Sequence, residues 1–344
     1  MMRVLFVLLL FVGARALETV SVVLVTAMQS EMERFALGLP LSDSLAFPAG
    51  YNDLYVNSYM GVLGLVTGEG VRRATVSVMA LGFDGRFDVS KSYWLFAGIA
   101  GVDPMFGSVG SAFWAGSLVH AETGYLFDER EVPPTFDGDI IVPDSRTTPF
   151  EQPAPVAADV VFDLKTQARY AYELTKDVLL QDTVNLQQTR AGYSSAEARK
   201  PPTVRLGDSI SGDFFWLGTH WTDFYRRWHQ YWLFTNDTSG AAFATTAMED
   251  TAIASGIASL ARAGRANASQ FLVLRTASDY SHQPDNQSVT DWTFSPTHMS
   301  AEIEAYDAAY LVALPVILDL CCTPDDPSRP GRHFKPRIID SEDH

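Results

Sequence analysis

Cysteine is nearly absent from this sequence, and the two that occur, Cys321 and Cys322, are adjacent. A disulfide-stapled scaffold needs several spaced cysteines, and a metal cluster needs cysteine and histidine at ligand spacing, so both classes are excluded. A bond between neighbouring cysteines would strain the peptide that joins them, which favours buried thiols. We therefore expect no metal site and a fold stabilised by its hydrophobic core.

Positive charge is also scarce. The sequence has 25 lysines and arginines against 41 aspartates and glutamates, a formal net charge of −16 and a pI near 4.7. Binding to a nucleic-acid polymer requires clustered lysine and arginine to contact the phosphates. Such clusters are missing here, so we exclude a nucleic-acid polymer as the partner.

Long apolar runs are missing as well. Residues 4–12 form an apolar run of nine, preceded by Arg3 and followed by small residues at 13–16, which is typical of a secretory signal peptide. A membrane span needs about 18 apolar residues, and later apolar stretches are interrupted by glycine, proline or aspartate. We expect cleavage after Ala16, no spanning helix and a soluble, secreted mature chain.

Glycosylation is compatible with secretion. Three Asn-x-Ser/Thr acceptor sequences begin at Asn236, Asn267 and Asn286, although each alone is a common chance match. The hydrophobic fraction of 47% and charged fraction of 19% are enough for one large core. We predict a signal peptide over residues 1–16, one domain over 17–322 and a C-terminal tail over 323–344.

Within that domain, β-branched apolar runs alternate with amphipathic helical patterns. This alternation predicts an α/β sheet covered by helices on both faces, with ligands bound outside the strand ends. Strands are predicted to end at Thr26, Thr67, Ala97 and Arg275. The end at Ala97 makes residues 98–101 a glycine loop, and the end at Arg275 places Asp279 just past a strand.

One stretch departs from this alternation. Residues 122–203 are polar, proline-rich and weakly periodic, with one helix predicted over 155–180. We interpret them as an insertion over the sheet. Residues 216–234 are rich in aromatic side chains, which we expect to cover a pocket or build an interface in a homo-oligomer.

Five short segments resemble nucleosidases of the nucleoside phosphorylase/nucleosidase superfamily, particularly the bacterial methylthioadenosine/S-adenosylhomocysteine type. They follow that family's order: 26–32 (TAMQSEM), 67–70 (TGEG), 98–101 (GIAG), 211–215 (SGDFF), and 247–252 (AMEDTA) with 275–279 (RTASD). The full-length pattern, including GIAGVDP and RTASDYSHQP, resembles fungal purine nucleoside permeases. The resemblance implies a three-layer nucleoside phosphorylase-like α/β fold, with a central mixed sheet flanked by helices, and a small purine nucleoside as ligand.

The resemblance makes Asp279 the acid of the reaction. In these nucleosidases this aspartate protonates or hydrogen-bonds N7 of the purine, which relieves the negative charge that develops as N9 leaves. Ser278 and Arg275 would hold the surrounding loop and orient the carboxyl group. The alternative reading of Asp279 is an ordinary residue that caps a turn.

Glu31 and Glu249 would act on the sugar side of an oxocarbenium-like transition state. The resemblance implies that Glu31 positions the attacking water, and that Glu249 with Met248 grips the ribose hydroxyls. Both glutamates also have a structural alternative. Glu249 lies at the start of a helix, where the helix dipole favours an acid. Glu31 could be a solvated helix acid, which is a common role and one that the neighbouring Glu33 illustrates.

Phe215 corresponds to the aromatic residue that stacks on the base, since an apolar ring suits a flat heterocycle. Packing in the core is the alternative for this ring. Ala100 and Gly101, in the predicted glycine loop, would form a backbone wall against the ribose and base. The reaction that the resemblance implies needs neither a cofactor nor a metal.

Three functions remain open. A carboxylate at Glu31 would repel phosphate, which favours a secreted purine nucleosidase that releases base and ribose. Arg72 and Arg73, with the amides of residues 98–101, keep a phosphorylase as the alternative, although paired arginines on a helix surface are commonly just solvated. A non-catalytic nucleoside-binding protein that assists uptake is the third possibility.

Overall fold

The computed structural model describes residues 18–41, 43–128, 130–133, 141–142, 150–151, 159–233 and 243–322. The predicted signal peptide, the tail over 323–344, the acceptor residue Asn236 and parts of the predicted insertion lie outside the described residues.

The secondary structure alternates as expected for an α/β protein. The strands are β1 (Glu18–Thr19), β2 (Val22–Thr26), β3 (Asp43–Leu45), β4 (Leu54–Asn57), β5 (Val62–Val66), β6 (Phe87–Asp88), β7 (Tyr93–Val102), β8 (Ala112–His120), β9 (Tyr125–Leu126), β10 (Ile141–Val142), β11 (Val161–Asp163), β12 (Val204–Ser211), β13 (Thr245–Ala247) and β14 (Phe271–Tyr280). The helices are α1 (Gln29–Gly38), α2 (Val71–Gly82), α3 (Lys165–Thr175), α4 (Val184–Ala191), α5 (Thr219–Leu233), α6 (Asp250–Arg262), α7 (Val289–Thr293) and α8 (Glu302–Cys322).

Among the described residues, ten strands form one mixed sheet. β2 lies parallel to β5 and β7, and β4 and β3 extend this side in antiparallel pairs. On the other side, β7 pairs with β14, β14 with β8, β8 with β12, β12 with β13, and β13 again with β7. These five strands therefore close into a ring, and the predicted central mixed sheet is confirmed.

The sheet is buried on both faces, because successive side chains of a strand point to opposite sides. Val23 and Val25 of β2 belong to the core cluster that includes α2 and α6. Val22 and Leu24 belong to the cluster formed with α1, α3 and α8. Helices on both faces of one sheet make three layers, as predicted.

Two predicted strand ends are wrong. β7 continues through residues 98–101, which were expected to form a loop, and β14 continues past Arg275 to Tyr280. Glycine and aspartate are depleted in strands, but these two strands pair with each other along this length. A Cβ on Gly98 would lie 2.6 Å from a carboxylate oxygen of Glu31, so any larger residue there would displace that carboxylate.

The pairing of β7 and β14 is irregular at one point. Ala277 lies opposite Ala100 and Asp279 opposite Gly101, so Ser278 is an extra residue in β14. A bulge of this kind changes the direction in which the following side chain points. The position of Asp279 is therefore set by a bulge inside a strand, not by a loop beyond its end.

The middle of the chain also differs from expectation. The helix predicted over 155–180 is α3, limited to Lys165–Thr175, and the three residues of β11 before it pair with β8. The aromatic stretch forms α5, whose Phe224, Trp228 and Trp232 are buried in their own core cluster. Much of this stretch is therefore core, because an amphipathic helix can bury one aromatic face.

No helix in the part of the chain that the structure describes combines the length and apolar character needed to cross a membrane.

Candidate active site

A cavity of about 280 Å³ lies where β7, β14, the start of α1 and the start of α6 meet. Every predicted catalytic and substrate-binding residue lines it. Its wall consists of Ala27, Met28, Glu31, Glu69, Ile99, Ala100, Gly101, Phe215, Thr246, Ala247, Met248, Glu249, Arg275, Ser278, Asp279, Met299 and Glu302.

Glu31 occupies the third position of α1 and its side chain is buried, with 2% of the residue exposed. One carboxylate oxygen accepts hydrogen bonds from the backbone N–H groups of Ala27 and Met28, and the other accepts from Ile99, each at 2.8 Å. The bond from Met28 caps the helix, but the reading of Glu31 as a solvated helix acid is wrong, because the side chain is buried. A carboxylate has about four acceptor sites, which leaves one for a ligand.

The protonation of Glu31 is unusual. Burial raises its pKa to about 7, against the lowering effects of the Arg275 guanidinium and of the bonds from Met28 and Ile99. A carboxyl group with a pKa near neutrality is half ionised at pH 7 and can accept a proton there. Glu31 can therefore act as a general base at physiological pH.

Arg275 links the carboxylates on this side of the cavity. Its Nη2 lies 2.9 Å from Glu249 and 2.8 Å from Asp250, its Nε donates to Asp250 at 2.9 Å, and its Nη1 donates to the carbonyl of Ile99 at 2.8 Å. The guanidinium also lies 4.1 Å above the ring of Phe96. Sequence reasoning placed Arg275 beside Asp279, which is wrong: its partners are Glu249 and Asp250.

Glu249 is the N-cap residue of α6, but its side chain does not cap that helix. One oxygen accepts from the backbone N–H of Gly70 at 3.0 Å and the other from Arg275. Burial raises its pKa, and Arg275 opposes that effect. The helix-dipole explanation is therefore insufficient, because the side chain points into the cavity wall.

The other end of the cavity holds Asp279, with 1% of the residue exposed. The hydroxyl of Ser278 donates to its Oδ1 at 2.8 Å, while its buried Oδ2 has no hydrogen-bond partner among the described residues. Burial raises the pKa of Asp279 to about 7, opposed by the bond from Ser278. At neutral pH a large fraction of this carboxyl group carries the proton that a general acid needs.

Phe215 is 51% exposed and forms part of the wall, so it is available to a ligand and is not core. The neighbouring Asp213 has a structural role, because it accepts the N–H of Val71 at 2.8 Å and caps α2. The backbone of Gly101 lies close to Asp279, since a Cβ on this glycine would lie 3.3 Å from Asp279 Oδ2.

Arg72 and Arg73, the predicted phosphate site, lie away from the cavity wall. The side chain of Arg72 is 90% exposed, with one distant contact of 3.8 Å to Asp213, and Arg73 is exposed beside the ring of Tyr51. Both lie on the solvent face of α2, as paired helix arginines commonly do. Among the described residues, Arg275 is the one basic side chain on the wall, which also includes five carboxyl groups.

Sequence reasoning missed several wall or near-wall residues, among them Asp250, Met299, Glu302 and His298. Asp250 belongs to the predicted 247–252 segment, but the sequence alone does not distinguish a fully buried acid from an exposed one. Met299, Glu302 and the nearby His298 precede or begin α8, and they follow no strand, so the strand-end rule cannot find them. Within the described residues, no group of three or more histidine, cysteine or acidic side chains is arranged to hold a metal ion.

The chain matches the sequence model of a known protein family. The sequence model described as purine nucleoside permease (NUP) matches residues 19–325. A probable purine nucleoside permease of Schizosaccharomyces pombe is 28% identical over 278 residues, 78% of each chain. The purine nucleoside permease of Candida albicans is 27% identical over 277 residues, 78% of this chain and 66% of that protein.

Solved structures of low sequence identity align with this chain. The futalosine hydrolase of Helicobacter pylori aligns with a TM-score of 0.50 at 12% identity, covering 88% of this chain and 98% of that one. A methylthioadenosine/S-adenosylhomocysteine nucleosidase from Neisseria meningitidis aligns with a TM-score of 0.47 at 16% identity, covering 86% and 99%. At such identities the first match supports the predicted nucleoside phosphorylase-like fold alone.

Proposed function

Because this chain belongs to the purine nucleoside permease family, whose sequence model covers residues 19–325, we propose that its cavity binds a purine nucleoside and hydrolyses the N-glycosidic bond. The products are the free base and ribose. One observation carries the proposal: two buried carboxyl groups, Glu31 and Asp279, line the same cavity, and burial raises the pKa of each to about 7.

The reaction needs one of these groups as an acid and the other as a base. Asp279 donates its proton to N7 of the purine while the C1′–N9 bond breaks and its electron pair passes to the base. Glu31 accepts a proton from the water whose oxygen attacks C1′. General acid–base groups of this kind typically contribute 10²–10⁴-fold to the rate, and they work best with a pKa near the working pH.

The remaining wall residues would hold the substrate. Glu249, kept in place by Gly70 and Arg275, accepts hydrogen bonds from the ribose hydroxyls, with Met248 against the sugar. Phe215 stacks on the base, and the backbone at Ala100 and Gly101 forms the opposite wall. These roles follow from the resemblance noted in the sequence and are supported by the position of each residue on one cavity.

Charge argues for water over phosphate as the nucleophile. Five carboxyl groups of the described residues line the cavity, and the N–H groups of Arg275 are already engaged by Glu249, Asp250 and a carbonyl. A phosphate dianion would be repelled by this wall, since like charges at close range are costly in a buried site. A phosphorylase is therefore the less favoured reading.

We place this activity outside the cell, after removal of residues 1–16, on the strength of the sequence pattern. A contribution to nucleoside uptake would then follow from releasing or capturing the base near the cell surface. The exposed acceptor residues Asn267 and Asn286 are compatible with glycosylation.

The test is to incubate the purified protein with adenosine, inosine and guanosine, with and without phosphate, and to measure ribose and ribose 1-phosphate. We expect free ribose in phosphate-free buffer. Strict dependence on phosphate with release of ribose 1-phosphate would establish a phosphorylase. Nucleoside binding by calorimetry without turnover over hours would establish a binding protein instead.

A substitution tests the base. Glu31→Gln should lower kcat by about 10²-fold or more, while Glu33→Gln, an exposed neighbour on α1, should leave it unchanged. Because glutamine would set an amide NH₂ against backbone N–H donors, thermal unfolding of both variants must be recorded. Equal kcat values in two folded variants would remove Glu31 from the mechanism.

A further inference from the structure

His298 faces the acid of the proposed reaction. Its Nε2 lies 3.9 Å from Oδ2 of Asp279, and both atoms are buried without a hydrogen-bond partner among the described residues. Buried polar atoms are almost always paired. Two of them that face each other at this separation indicate a shared role, with a small shift or a ligand closing the gap.

The imidazole is held in place by aromatic rings. Its ring centre lies 4.4 Å from that of Trp292 and 5.8 Å from that of Phe215, with interplanar angles of 78° and 76°. Only 10% of the side chain is exposed. Such edge-to-face contacts restrict the ring without engaging its nitrogen atoms, so Nε2 is kept pointing at Asp279.

His298 also lines a second cavity of about 270 Å³, together with Tyr193, Trp292 and Ser300. Asp279 lines the first cavity and is itself almost inaccessible. The histidine therefore stands between the buried carboxyl group and a separate opening in the surface of the protein.

The proposed reaction creates a need for such a group. Each turnover leaves Asp279 as a carboxylate, because its proton has moved to the base, and leaves Glu31 protonated by the water. Before the next turnover Glu31 must lose one proton and Asp279 must gain one. The overall reaction consumes no proton, but the two sites must be reset separately.

We propose that His298 is the proton relay that reloads Asp279 between turnovers. The imidazole transfers the proton on Nε2 to Asp279 Oδ2 while Nδ1 takes a proton from water in the second cavity, and the hydroxide formed there is neutralised by the proton that Glu31 releases to solvent. The imidazole stays neutral throughout, and proton exchange with water restores the Nε2 tautomer before the next turnover. This inference rests on the proposed hydrolysis. The class of proton donor is water or a small buffer acid.

The other groups around Asp279 are less suited to this task. The Ser278 hydroxyl already donates to Oδ1, and the Glu302 carboxylate, which raises the pKa of Asp279 by its charge, accepts from the hydroxyl of Tyr306. Burial raises the pKa of Tyr193 from its ordinary value, so its hydroxyl is a poor proton donor. Burial lowers the pKa of His298 from its ordinary value, so a neutral imidazole faces an acid that titrates near 7.

The experiment separates the first turnover from later ones. In rapid-quench assays on purine nucleosides, His298→Gln should release about one base per active site at the wild-type rate and then slow by about 10- to 10²-fold. Imidazole in the buffer should restore the steady-state rate of His298→Ala. His282→Gln is the matched control, since this partly buried histidine bonds the carbonyl of Gln283 at 2.8 Å.

The outcomes are distinct. Wild-type steady-state turnover in folded His298→Gln would overturn the relay. Equal slowing of the first and later turnovers, without rescue by imidazole, would overturn it in favour of a purely structural role. Absence of turnover in the unsubstituted protein would instead overturn the proposed function.

Discussion

Replacing Asp279 with asparagine should inactivate the protein and, above pH 7, stabilise it. The carboxyl group is buried and its pKa is raised from 3.8 to about 7. An acid whose pKa is higher in the folded than in the unfolded state favours the neutral form on folding. The wild-type protein therefore loses stability as the pH rises from about 4 through 7, whereas Asp279→Asn keeps a neutral side chain throughout.

The size of the effect follows from the two pKa values. The rise in pKa from 3.8 to about 7 lowers the free energy of unfolding of the wild type by about 4 kcal/mol once the group is fully ionised in the folded protein. Between pH 5 and pH 8 the stability of the wild type relative to Asp279→Asn should fall by about 3 kcal/mol. The amide oxygen of Asn at this position can still accept the hydrogen bond from Ser278, so the variant does not lose stability through that bond.

The assay is urea unfolding of both proteins at pH 5 and pH 8, followed by tryptophan fluorescence. Asp285→Asn is the control, because Asp285 is exposed in the loop after the same strand. On purine nucleosides, Asp279→Asn should lower kcat by about 10²–10⁴-fold with a small change in KM. If the stability difference between wild type and Asp279→Asn did not change with pH, the carboxyl group would not be the buried acid described here.

Two further predictions concern the same site. The pH profile of kcat/KM should be bell-shaped with its maximum near 7 and a fall of roughly tenfold per pH unit on each limb, because Glu31 becomes protonated below pH 7 and Asp279 loses its proton above pH 7. Steady-state assays from pH 5 to 9 check this prediction. A profile that is flat over that range would contradict it. Arg275→Met should destabilise the fold by about 3–5 kcal/mol, because Glu249 and Asp250 would be left buried without their cation. The control Arg262→Met, at the end of α6, should change the free energy of unfolding by less than about 0.5 kcal/mol. Similar losses in the two variants, measured by chemical denaturation, would refute the central role of Arg275.

Much of the fold and site was predictable from short-range sequence patterns. Apolar β-branched runs followed by amphipathic helices indicated a sheet covered on both faces, because burial on a strand or helix follows the period of its side chains. The match over residues 19–325 and the shared fold confirm the family and architecture. Glu31, Glu249 and Asp279 were identified by segments whose order resembles one family, and the structure brings all three to one cavity.

Pairing and burial depend on distant parts of the chain, and the sequence alone could not decide them. Residues 98–101 and 276–280 have the composition of loops, yet β7 and β14 pair along them, and the bulge at Ser278 directs Asp279 into the cavity. Arg275 was assigned to the wrong carboxylate because its partner depends on how β14 lies beside α6. The raised pKa values of Glu31 and Asp279 and the position of His298 beside the acid likewise arise from desolvation and contact across segments, which exist only once the chain has folded.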